Sequence, residues 1–173
     1  MTDSIDFSSL SLQDALDLAI LVEDEAKERY EEFAHLMTVH HTEEAAEFFK
    51  CMAVNEAKHG DELRKRRTEL FGDSPRQVDS SMLFEVEAPE PSEIRAFMSV
   101  RQALEVALAA ETKAFEFFDS ALPSVENEDV KALFAELREE EVEHQDMVKA
   151  VMDKVGEDSG ADPDDYVDPP IGM

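Results

Sequence analysis

Two stretches, FKCMAVNEAKH at Phe49–His59 and FAELREEEVEH at Phe134–His144, open on Phe and close on Glu-x-x-His. A helix brings residues i and i+3 onto one side, so Glu56 and His59 address one spot, as do Glu141 and His144. In a chain this rich in Glu, one such pair is a weak signal. A pair repeated with its Phe in register is a stronger one, because internal repetition marks repeated architecture. A second repeat accompanies it: EDEAKERYEEFA from Glu23 and ETKAFEFFDSA from Glu111 share Glu, then Ala at +3, Glu at +5 and an aromatic at +7, Tyr30 and Phe118.

Working outward from these stretches, the apolar residues recur at helical rather than strand spacing in four long segments. The first helix is predicted over 12–38, with Ser11 and Asp14 forming a capping-box-like start. Its inward stripe is Leu16, Ala19, Ile20, Glu23, Ala26, Tyr30, Phe33, Ala34 and Met37. The second is predicted over 43–70, stopping at Gly72, with Ala45, Phe49, Met52, Glu56, His59, Leu63 and Leu70 inward. The third is predicted over 99–122 behind the capping box of Ser99 and Gln102, and the fourth over 128–155 behind Asn127. The 71–98 connection carries Pro75, Pro89 and Pro91 and is too long for a hairpin, which makes it a crossover from one end of the bundle to the other. Two antiparallel hairpins joined by a long crossover make an all-α, four-helix bundle of ferritin-like connectivity over residues 1–156. The acidic, Pro/Gly-rich tail 157–173 is expected to be disordered.

This topology turns the repeats into a site. Glu23 and Glu56 lie symmetrically about position 39.5, in the first turn, and Glu111 and Glu141 about position 126, in the second. Each is ~16 residues, or ~25 Å of helical rise, from its turn, so the four share one level. All four fall on apolar stripes, with His59 and His144 within a turn of them. Carboxylates facing one another in a core repel and cost several kcal/mol each unless cations compensate them. A Glu from each of two helices and a Glu-x-x-His from each of the other two is a two-metal carboxylate arrangement, with ligands suited to iron, manganese or zinc. Tyr30, two turns beyond Glu23 on its face, is either a core aromatic or a hydrogen-bonding partner that orients a ligand carboxylate.

Other histidines read differently. Glu32 and His35 repeat the spacing but lie half a turn from Glu23, towards solvent, and His40 and His41 fall in the hairpin turn. Glu139, Glu140 and Glu143 are expected on the solvated face. The chain has 43 acidic and 16 basic residues and a net charge of −27, which disfavours nucleic acid and anionic membrane and favours cations. One cysteine, Cys51, excludes an internal disulfide and a four-cysteine metal knuckle, and a packed, inert thiol is expected there. There is no run long enough to span a membrane and no secretory signal, so a cytoplasmic protein is expected.

Over residues 12–155 the chain resembles the rubrerythrin and bacterioferritin branch of the ferritin-like superfamily. The likeness is carried by Glu23-x-x-Ala26-x-x-x-Tyr30, Phe49 through Glu56-x-x-His59, Glu111, and Phe134 through Glu141-x-x-His144. It implies a site of two iron ions that reacts with O2 or hydrogen peroxide while Fe(II) is oxidised. It also implies that Glu56 and Glu141 bridge, Glu23 and Glu111 are terminal, and His59 and His144 each cap one iron. Rubrerythrins usually carry a rubredoxin-like module; one cysteine cannot supply it, so an external electron donor is implied. Ala114 stands where rubrerythrins tend to have a further Glu, and Ala57 where bacterioferritin has its haem-binding methionine. The function so implied is a di-iron ferroxidase or peroxidase-like oxidoreductase, with a homo-oligomer, a dimer first, expected. The alternative is an iron-binding or iron-delivery module with little turnover.

Overall fold

The computed structural model describes residues 5–78 and 98–155. Four α-helices run over Leu12–Val39 (α1), Glu43–Phe71 (α2), Val100–Ala121 (α3) and Glu128–Val155 (α4), with a 3-10 turn at Leu122–Ser124, and no strand occurs among the described residues. Caps chosen by the sequence set the starts. Ser11 Oγ accepts the Asp14 N–H and its hydroxyl donates to the Asp14 carboxylate. Ser99 and Gln102 close a full capping box, and Asn127 Oδ1 accepts from the N–H groups of Asp129 and Val130. The predicted end of the third helix, 122, shortens to Ala121 because Pro123 has no N–H to continue the ladder and the chain tightens into the 3-10 turn.

α1 packs along α2 and α3 along α4. The crossover expected at 71–98 falls mostly outside the described residues, which stop at 78 and resume at 98. The ends that it joins lie where a full-length crossover needs them. Gln13, at the start of α1, donates to the Pro75 carbonyl, while Met98 packs with Met37 and Phe49 at the other end. The tail 157–173 also lies outside the described residues.

The core is divided in two. One cluster gathers the start of α1 (Leu16, Ile20), Leu63, Phe118 and the start of α4 (Leu133, Phe134); the other gathers Tyr30, Phe33, Met37, Phe49, Met52, Leu104 and Val148. Between them lie the buried carboxyls of Glu23, Glu56, Glu111 and Glu141.

Two expected inward or packed positions are corrected. Leu70 is 54% exposed. Symmetry about position 39.5 sets Leu12, where α1 begins, level with residue 67, so the last turn of α2 overhangs its partner. Cys51 is exposed because, five residues before Glu56, it projects ~140° away from that face.

Candidate metal centre

All six sequence-predicted ligands meet at the polar layer. One oxygen or nitrogen from each of Glu23, Glu56 and His59 lies within 4.8 Å of the others, and the same holds for Glu56, Glu111 and His144. Glu56 is common to both triads. Glu141 falls in neither triad but sits against the second, with Oε2 3.7 Å from His144 Nδ1. Their burial follows from the stripes: Glu56 and Glu111 are fully buried, and Glu23, Glu141 and His144 nearly so, while His59 is half-buried.

The carboxyls respond to their crowding. Burial, followed by the charge of Glu56 and a hydrogen bond shared with it, holds Glu23 well above the usual carboxyl range. Burial, then the charge of Glu111 and a bond shared with it, does the same for Glu141. In each hairpin one carboxyl, Glu23 or Glu141, is thus pushed towards its protonated form by burial and by the carboxyl it faces. The imidazoles of His59 and His144 stack with centroids 4.8 Å apart. Burial and then the neighbouring His144 lower His59. Burial alone would lower His144 too, but the hydrogen bond and charge of Glu111 outweigh it and raise the group.

Tyr30 spans the hairpins, its hydroxyl donating to Glu111 Oε1 at 3.0 Å, while Glu111 Oε2 meets His144 Nδ1 at 3.0 Å. The donor set suits a metal. Glu23 Oε2, His59 Nδ1 and Glu141 Oε2 are buried atoms with no hydrogen-bond partner, all of them oxygen or imidazole donors of the kind divalent cations take. Gly60, four residues after Glu56, faces α1 here: a Cβ on it would meet Glu23 Cβ at an ordinary contact distance of 3.6 Å and the end of the Arg64 side chain at 3.1 Å.

Glu32 and His35 are exposed, and His40 and His41 lie in the turn, His41 with φ 60°. Glu139 and Glu143 face solvent as expected, but Glu140 is half-buried, and burial raises its carboxyl. His144 follows it by four residues, so Glu140 lies nearly over the site rather than away from it. The sequence reading also passed over the buried ion pair of Asp17 with Arg67, whose guanidinium bonds both carboxylate oxygens at 2.9 and 3.2 Å. A signal existed: Arg67 follows Glu56 by eleven residues, ~20° from it around the helix.

A family model described as Rubrerythrin matches residues 14–152. The chain belongs to the rubrerythrin family. Among solved structures, this rubrerythrin-family chain is similar to an uncharacterised conserved protein from Magnetospirillum magnetotacticum MS-1, at 29% identity and a TM-score of 0.67 over 88% of this chain and 100% of that one. It also shares its fold with a bacterioferritin from Rhodobacter capsulatus, a structure with a metal-free dinuclear site and haem iron, at 22% identity, a TM-score of 0.55 and coverage of 83% and 86%. No curated protein sequence matches. No helix among the described residues is long and apolar enough to cross a membrane.

Proposed function

We propose that this rubrerythrin-family protein is a non-haem di-iron oxidoreductase that couples oxidation of Fe(II) to reduction of O2 or hydrogen peroxide. The observation that carries this reading is the layer of four buried glutamates and two stacked histidines between two apolar clusters. Glu23, Glu56, His59, Glu111, Glu141 and His144 are its metal ligands, and two iron ions held there would supply a pair of electrons within one site.

The chain's own residues perform the rest. Burial and facing carboxyls favour the protonated forms of Glu23 and Glu141, so cations held there would displace protons from them. Tyr30 donates to Glu111 and holds its carboxylate in place, and apolar clusters flank the layer on both sides. Each O2 taken to peroxide, or peroxide taken to water, consumes two electrons and two protons. With a single cysteine the chain carries no thiolate cluster of its own, so repeated turnover draws its electrons from an external donor or from further Fe(II).

The test is multiple-turnover Fe(II) oxidation with simultaneous measurement of O2 and peroxide consumption on iron-loaded protein. Catalytic consumption beyond the bound iron supports the oxidoreductase. Stoichiometric binding without turnover would support instead an iron-binding or delivery module, the reading that the net charge of −27 favours.

A further inference from the structure

The two triads share Glu56 but are not equally prepared for an ion. Around Glu111 the ligand carboxylate has a partner from outside the ligand set, Tyr30, although Glu141 Oε2 beside it has none. Both carboxylate oxygens are engaged, by the Tyr30 hydroxyl and by His144 Nδ1, each at 3.0 Å. Tyr30 is itself fully buried and stacks on Phe49, with ring centroids 6.0 Å apart. Around Glu23 the shared bond runs within the ligand set, to Glu56. Glu23 Oε2 and His59 Nδ1 have no hydrogen-bond partner, and His59 is half-buried where His144 is buried. The repeat explains the difference, because the position equivalent to Tyr30 is Phe118, which has no hydroxyl to offer.

Ordering a donor when its ligand arrives subtracts from affinity, whereas a donor fixed beforehand does not. Outer partners of metal ligands are worth ~10–100-fold in affinity. We infer that the two positions differ in retention: the one formed by Glu56, Glu111 and His144 holds its ion as a resident, and the one formed by Glu23, Glu56 and His59 takes up and releases its ion. This rests on the reading of the six residues as metal ligands and adds which half exchanges. The half-buried His59 is then where substrate Fe(II) enters and leaves, and Tyr30 is a positioning residue for the resident half.

The experiment is titration of the metal-free full chain with Co(II), read by its ligand-field absorption and by competition with a chelator. Two binding steps separated by at least ~10-fold are expected. Tyr30→Phe should weaken the tighter step and leave the weaker one in place, and His59→Ala should remove the weaker step alone. Anomalous scattering from wild-type crystals given one equivalent of Co(II) should place it at Glu111 and His144, a readout that does not depend on any variant folding. Two equal steps, or the first ion at Glu23 and His59, would overturn the inference while leaving a two-metal site standing. Failure to bind any Co(II) would overturn both.

Discussion

The imidazoles of His59 and His144 lie face to face, 6° from parallel, so a proton on one opposes a proton on the other. His144 is raised through its bond to and the charge of Glu111, and His59 is lowered by burial and by His144. In metal-free protein, NMR titration should show one histidine above and one below the ordinary value, with the higher assigned to His144. The reverse order would mean that the Glu111 contact does not hold in solution.

The same layer sets the pH dependence of stability without metal. Glu23 and Glu141 have folded-state pKa values raised above those of the unfolded chain. Their contribution is complete below the ordinary carboxyl pKa and is lost as pH rises through the raised folded values. Metal-free protein should therefore melt at a higher temperature near pH ~5 than near pH ~8. Glu23→Gln with Glu141→Gln should flatten that dependence. A profile that rises towards pH ~8 would contradict the raised carboxyls of Glu23 and Glu141.

Chelation should lower stability at neutral pH, since an ion bound only by the folded site shifts the folding equilibrium. At ~100 times the dissociation constant the loss is about 2.7 kcal/mol, which for a chain of this size corresponds to a fall in Tm on the order of 5–10 °C. Differential scanning calorimetry before and after dialysis against chelator measures it, and an unchanged Tm would count against a stabilising centre.

Glu56, the carboxyl common to both triads, should be the least replaceable ligand. Glu56→Ala is expected to depress Fe(II) oxidation by at least ~100-fold, the upper end of what even an outer partner costs. Glu32→Ala and His40→Ala, outside the layer, should leave the rate near wild type. Equal losses in both sets would show that the faces have been assigned wrongly.

Most of this architecture was legible because helical rise converts sequence distance into height. Glu23 with Glu56, and Glu111 with Glu141, each sit symmetrically about a turn, and nothing but rise and register was needed to bring them level. What periodicity does not carry is the length of a helix relative to its neighbour, and hence Leu70 overhangs α1. Nor does it resolve positions ~100° from a stripe, where burial depends on the adjacent helices, and so Glu140 is half-buried. The partner of Tyr30 lay 81 residues away on another hairpin, beyond any local pattern. Asp17 and Arg67 were passed over because charged residues count as surface until both members of a pair are seen.

Ala114 gives the last prediction. Three residues after Glu111, it is fully buried and occupies the place where rubrerythrins tend to carry a further glutamate that can replace a histidine as iron changes oxidation state. A methyl group cannot coordinate. Glu116 is a poor substitute, since it is exposed and, five residues after Glu111, projects ~140° from the ligand face. A histidine leaving its ion would have no carboxylate successor on α3, and loss of a ligand without replacement is unfavourable. His59 and His144 should therefore remain the imidazole ligands of whatever iron occupies their positions, reduced or oxidised, which favours ferroxidase-like chemistry over a specialised peroxidase. Matched structures of the reduced and oxidised loaded protein check this, and release of either histidine in favour of another carboxylate would refute it. Ala114→Glu should restore the missing option: in that variant alone, a redox-dependent exchange of imidazole for carboxylate is expected.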